Sequence, residues 1–221
     1  MHHVPSLFVH PSRRIRQLAA ELHKSFVALL SEYIPVNDVV LATWCMAAHD
    51  MDRSVASAAR ASFTSYAKTV DRVHLSTISP YMYRAALDPL GVYDDLNPQP
   101  PPPPAPLVAK RGVPAPDQPV RTKLEDLEEK DEDRIARIRV GALGAISWAL
   151  EHVDDSAAQD MAVSLSNPLF WTVLHIGQHP SFVDDDGMDG FGFGQPSVRR
   201  AGWNIVSTLL RCHSKGMFHV S

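Results

Sequence analysis

Apolar residues recur along this chain at three- and four-residue spacing, the period of helices that bury one side. From Pro11 the stripe runs Ile15, Leu18, Ala19, Leu22, Phe26 and Leu29, with Pro11 and Ser12 opening the segment. A second, Pro-led segment places Val36, Val39, Val40, Trp44 and Ala47 on one face, and a third carries Val55, Ala58, Ala59, Phe63 and Tyr66 behind Asp52. Aspartate at that point accepts amide hydrogens that a first helical turn leaves unpaired, so Asp52 is expected to cap the helix. Further on, Ile135, Ile138, Ala142, Ile146 and Ala149 trace another helix, and Asn167-Pro168 caps a short one through Phe170, Trp171 and Leu174. Pro196 opens PSVRRAGWNIVSTLLR, and VPSLFVH reads as the tail of an earlier helix. Alternating apolar and polar runs of the strand type are absent, which makes the class all-α.

Three of these helices share a phrase. PSRRIRQLAAEL from Pro11 aligns with MDRSVASAARAS from Met51, so that Ile15 falls on Val55, Leu18 on Ala58 and Ala19 on Ala59, 40 residues apart. PSVRRAGWNI repeats it, with Val198, Ala201 and Gly202 at the same places. A β-branched anchor followed one turn later by alanine or glycine suits a helix that neighbours approach closely. The 40-residue period matches the second helix of a HEAT-type hairpin, a unit that cannot bury its face alone and therefore stacks. The expected architecture is all-α, with HEAT-type hairpin repeats forming part of a right-handed α-solenoid interrupted by a disordered Pro-rich insertion. An ordinary helical bundle with three similar helices is the plain alternative. With no polar capping repeat in view, the chain is expected to be a piece of a longer protein.

Composition divides the chain. Residues 97–119 hold ten of its 18 prolines, and proline removes an amide donor and disfavours helix in the residue before it. The expected segments are repeats over 1–93, a disordered linker over 94–121 and further repeats over 122–213, with a flexible loop at 184–195 and a frayed tail at 214–221. The linker reads as a connector, or as a Pro-rich docking ligand. The net charge of −4 argues against a nucleic-acid binder over its whole surface. The charge is uneven: Arg13, Arg14, Arg16 and Lys24 face only Glu21 near the start, and Arg199, Arg200, Arg211 and Lys215 lie near the end without an acid. No apolar run is long enough to span a bilayer, so no membrane partner is expected.

Candidate chemistry is thin. The loop DDDGMDGFGFG fails as a calcium loop because Gly187 and Pro196 stand where an EF-hand needs oxygen ligands, and it lacks the lysine of a phosphate loop. His175 with His179, and Cys212 with His213 and His219, have no partner at structural-zinc spacing. Cys45 and Cys212 sit inside apolar helical patterns and read as buried free thiols. The expectation is therefore no catalytic residue and no metal or cofactor in this chain. What remains is a set of arginines near the starts of second helices: Arg13, Arg14, Arg16, Arg53, Arg199 and Arg200. In a solenoid they would align along one edge, where guanidinium groups bind phosphates in bidentate fashion or pair within the scaffold.

In order along the chain, HPSRRIRQLAAELH, HDMDRSVASAARASF, EKDEDRIARIRVGALGAISWALE, NPLFWTVLHI and QPSVRRAGW resemble the N-terminal domain of listerin. Listerin is a ribosome-associated RING-type E3 ubiquitin ligase. The resemblance implies a cytosolic, ribosome-associated protein, with a nuclear pool left open, whose N-terminal domain docks on the large ribosomal subunit and its quality-control cofactor. It further implies that nascent chains on stalled subunits are ubiquitinated by a distant RING, with its zinc and its E2 contact, which this chain does not contain. The competing reading is a HEAT-repeat adaptor unrelated to ubiquitin.

Overall fold

The computed structural model describes residues 4–30, 37–67, 72–98, 129–174 and 194–213. Among them are ten α-helices, one short 3-10 turn and no strand. In chain order the helices are α1 Val4–Phe8, α2 Arg13–Leu30, α3 Asp38–Ala47, α4 Arg53–Ala67, α5 Arg72–Leu87, α6 Pro89–Leu96, α7 Asp131–His152, α8 Asp155–Leu165, α9 Pro168–Trp171 and α10 Pro196–Cys212; the 3-10 turn Thr172–Leu174 follows α9. The all-α expectation holds. The Pro-rich stretch, the 184–195 loop, the 214–221 tail and His175, His179 and His219 lie outside the described residues, apart from the ends of the first two. Helix α6 runs through Asp94, Asp95 and Leu96, and Gly194 has the left-handed backbone that favours glycine, with φ 65°.

Local signals explain most helix starts. Asn37 Oδ1 accepts the amide of Val40 at 2.8 Å and starts α3. Asp52 does the same for α4, accepting from the amides of Ser54 at 2.9 Å and Val55 at 3.3 Å, as its position suggested. Asp154 accepts from Ala157 at 2.9 Å to start α8, and Asn167 from Leu169 at 3.0 Å to start α9. Proline stands in the first turn of α6, α9 and α10, where its missing amide costs nothing.

The core gathers around α3, whose residues Val40–Ala47 are all buried. Trp44 is its centre. Its indole donates to Ser62 Oγ on α4 at 3.1 Å, and its rings meet His23 of α2, Phe63 and Tyr66. Two close crossings set the neighbouring geometry. A Cβ on Gly141 of α7 would stand 3.0 Å from the carbonyl oxygen of Met46, and one on Gly144 would stand 2.6 Å from Cβ of His49. On α10, a Cβ at Gly202 would meet Val173 at 2.7 Å. Small residues therefore sit where helices cross, as the shared phrase implied. Tyr83 of α5 donates to the carbonyl of Met161 on α8 at 3.0 Å, tying those two helices together.

The long helices that carry the shared phrase lie side by side with parallel neighbours. Helix α2 packs along α4, and the two starts meet through Arg13 and Asp52. Helix α10 packs along α7, with Thr208 2.9 Å from Ser147 and Arg211 paired to Glu151 near both C-termini. Arg137 of α7 donates to the carbonyl of Val9 at 3.1 Å, which brings the start of α7 to the start of α2.

Two sequence expectations change. The stripe along α2 does not form its inner face: Leu18, Leu22, Phe26 and Leu29 are exposed, while Arg16, Ala19, Ala20 and His23 are buried. The helix has two apolar sides, and the one with small residues is buried, with His23 set against Phe8 of α1 and Trp44 of α3. Cys45 is buried as expected, but Cys212, in the last turn of α10, is exposed, its side chain lying off the side on which Arg211 and His213 reach α7.

Candidate docking edge

The starts of α2 and α4 meet, which brings Arg13 and Arg53 into one neighbourhood, while Arg199 and Arg200 stand at the start of α10, on the helix that packs along α7. Their environments differ sharply. Arg16 is buried with Asp50, side chains 5% and 4% exposed. Its Nε donates to Asp50 Oδ2 at 2.9 Å and its Nη2 to Oδ1 at 3.4 Å, and its Nη1 reaches the carbonyls of His10 and Pro11 at 2.9 and 2.8 Å. A buried fork of this kind holds the turn before α2 against the α3–α4 turn with four of the guanidinium's five donors engaged, and its burial leaves it out of a partner's reach. As a contact residue Arg16 is therefore corrected: it is structural. Position 16 lies on the same helical side as Ala19, Ala20 and His23, a signal that the arginine run concealed.

Arg13 is exposed and reaches Asp52 at 3.4 Å. The carboxyl of Asp52 sits below its usual range because the Ser54 hydroxyl and the amides of Val55 and Ser54 donate to it, with Arg13 adding a smaller share. Arg14, Arg53 and Arg200 are exposed and form no ion pair among the described residues. Arg199 is half-buried and engaged. Beside Arg53, an open groove of about 1010 Å³ runs along α4, lined by Asp50, Arg53, Ala56, Ser57, Arg60 and Thr64. Arg60 donates twice to the carbonyl of Ala48, at 3.2 and 2.9 Å, so it closes the C-terminal end of α3 while flanking the groove.

Sequence reasoning passed over Arg137 and Glu129. Arg137 is buried and forms two 2.7 Å bonds with Glu129, a second fork like that of Arg16. His10 lies near both, and burial followed by the charges of Arg16 and Arg137 lowers its pKa. Helix α7 also opens on exposed Asp131, Glu132 and Asp133. The edge is therefore not one continuous basic row. Arg13, Arg14 and Arg53 lie at the starts of α2 and α4, and Arg199 and Arg200 lie at the start of α10. No group of three or more histidine, cysteine, aspartate or glutamate side chains is arranged to hold a metal ion among the described residues. No described helix is long and apolar enough to cross a membrane.

Comparison with characterised proteins and with solved structures returns no match. Comparison with protein families does: residues 3–78, which carry α1 to α4, the first basic patch and the groove, match the family of the E3 ubiquitin-protein ligase listerin, N-terminal domain.

Proposed function

We propose that this chain is a docking segment of a listerin-type E3 ubiquitin ligase, one that binds the large ribosomal subunit so that a RING elsewhere in the ligase can modify nascent chains on stalled subunits. The observation that carries the reading is the match of residues 3–78 to the listerin N-terminal domain. The parallel packing of α2 on α4 and of α10 on α7 supports a HEAT-type stack belonging to a right-handed solenoid. In this reading the patch of Arg13, Arg14 and Arg53 contacts ribosomal RNA phosphates or an acidic ribosomal protein, and Arg199 and Arg200 add a second contact. The subunit's quality-control cofactor is a further partner, and the cytosol is the place of action. The chain supplies position rather than catalysis.

The test reverses only exposed charge. The variant R14E/R53E leaves both buried forks intact and is expected to keep its helical circular dichroism. Charge-assisted hydrogen bonds are worth about 1.5–3 kcal/mol each, so co-sedimentation with purified large subunits should weaken roughly tenfold or more. Unchanged binding would remove the arginine patch from the account.

A further inference from the structure

On α4, Arg53, Ser57, Arg60 and Thr64 follow one another at i+4, i+3 and i+4, so they line one side of the helix, and all of them are exposed. Each of these side chains can donate a hydrogen bond, and the helix itself contains no acidic residue to compete for them. The acids nearest in the chain are engaged elsewhere. Asp50 is held in the buried fork with Arg16, and Asp52 by the first turn of α4 and by Arg13. Arg60 gives Nε and Nη2 to the carbonyl of Ala48, which fixes its guanidinium beside the groove with Nη1 unpaired among the described residues. Arg53 forms no ion pair among them.

This side lies within the helical stack and not at one of its ends. Helix α4 packs on α2 and α3, which precede it, and meets the later α7 through Phe63, 5.0 Å from Trp148. A further hairpin would therefore not cover it. The groove of about 1010 Å³ along it places Ala56 and Ala61 among the donors. Such small residues let a partner's backbone come near, as Gly141 and Gly144 do inside the molecule.

Charge and spacing decide the kind of partner. Seven residues separate Arg53 from Arg60, about 10.5 Å along the helix axis. Duplex nucleic acid presents about six phosphates over that length, far more charge than this pair of guanidinium groups balances. No aromatic side chain is among the described residues that line the groove, so single-stranded bases have nothing to stack on. A second helix with carboxylates at the same spacing matches the row, acid to donor. We propose that the outer groove of α4 binds an acidic α-helix of a partner protein, whose carboxylates at i, i+4, i+7 and i+11 accept from Arg53, Ser57, Arg60 and Thr64. The arginines supply charge-assisted bonds and the hydroxyls set the register. The inference stands on the outer side of α4 and not on the large-subunit reading; Arg14 lies outside the groove, which lets the two fail separately.

Fluorescence anisotropy tests it with the full chain and two labelled, alanine-rich peptides of about 20 residues, long enough to be helical. Both carry the same number of glutamates, one peptide at the proposed spacing and the other with them spread around the helix. The first should bind saturably and about tenfold more tightly than the second. Ser57→Glu places a carboxylate between Arg53 and Arg60, where it pairs with them inside α4, and should weaken binding of the first peptide about tenfold. Arg14→Gln should leave that binding unchanged. Ser57 is exposed, so helical circular dichroism should be kept; if it is not, Thr64→Glu takes its place. Equal affinity for the two peptides, binding of neither, or binding untouched by Ser57→Glu would each overturn the proposal. So would a single-stranded RNA of about 12 nucleotides that binds more tightly than the first peptide and is lost in Ser57→Glu, which would assign the groove to nucleic acid.

Discussion

His23 sits with both ring nitrogens buried and without a hydrogen-bond partner among the described residues. It is wedged edge-on between Phe8 at 5.4 Å and Trp44 at 4.3 Å. Burial pulls its pKa from 6.5 to about 4, and half-buried His49 is likewise lowered to about 4, by burial first and by Arg60 second. The unfolded chain takes up a proton near pH 6.5 and the folded chain only near pH 4. Stability is therefore full above about pH 6.5, declines as pH falls toward 4, and changes no further at these sites below that. For His23 alone the loss is about 3 kcal/mol. Urea midpoints at neutral pH and near pH 4.5 should differ accordingly, and His23→Phe should shrink the difference while keeping the aromatic contact. If the variant retains the full pH dependence, another group is responsible. The sequence shows a histidine on the small-residue side of α2, but not the aromatic walls around it, which come from α1 and α3.

At the scale of elements, periodicity located α2, α3, α4, α7 and α10 because each has a sustained apolar repeat, and side-chain caps fixed the starts of α4 and α9. It did not locate α5, α6 or α8. Helix α5 carries Pro80 in its interior, α6 is short, and α8 exposes most of its length, so none shows a strong stripe. Choosing the inner side of α2 was also beyond periodicity, since that choice depends on where α1 and α3 place Phe8 and Trp44. Glycine within α7 makes the same point. In an open helix Gly→Ala gains about 1 kcal/mol. At Gly144 the added Cβ would fall 2.6 Å from Cβ of His49, so Gly144→Ala should instead lower stability by about 1–3 kcal/mol. A thermal melt decides the sign, and a rise in Tm would mean that α7 does not approach the turn after α3 so closely.

At the scale of the molecule, packing gives the six arginines singled out in the sequence different roles. Arg16 became part of a buried fork with Asp50, and Arg137, which no sequence signal marks, took the same role with Glu129. Arg14, Arg53 and Arg200 remain open to a partner. The candidate residues were legible because arginine recurs near helix starts. Their division was not, because it depends on acids that are distant in the chain. Docking of the exposed arginines on the large ribosomal subunit, as proposed above, is tested by sedimenting the purified chain separately with purified large and small subunits in one buffer. Saturable recovery with the large subunit, weakened by added salt, and little with the small one is the expected result. Equal recovery with both, or with neither, would contradict it.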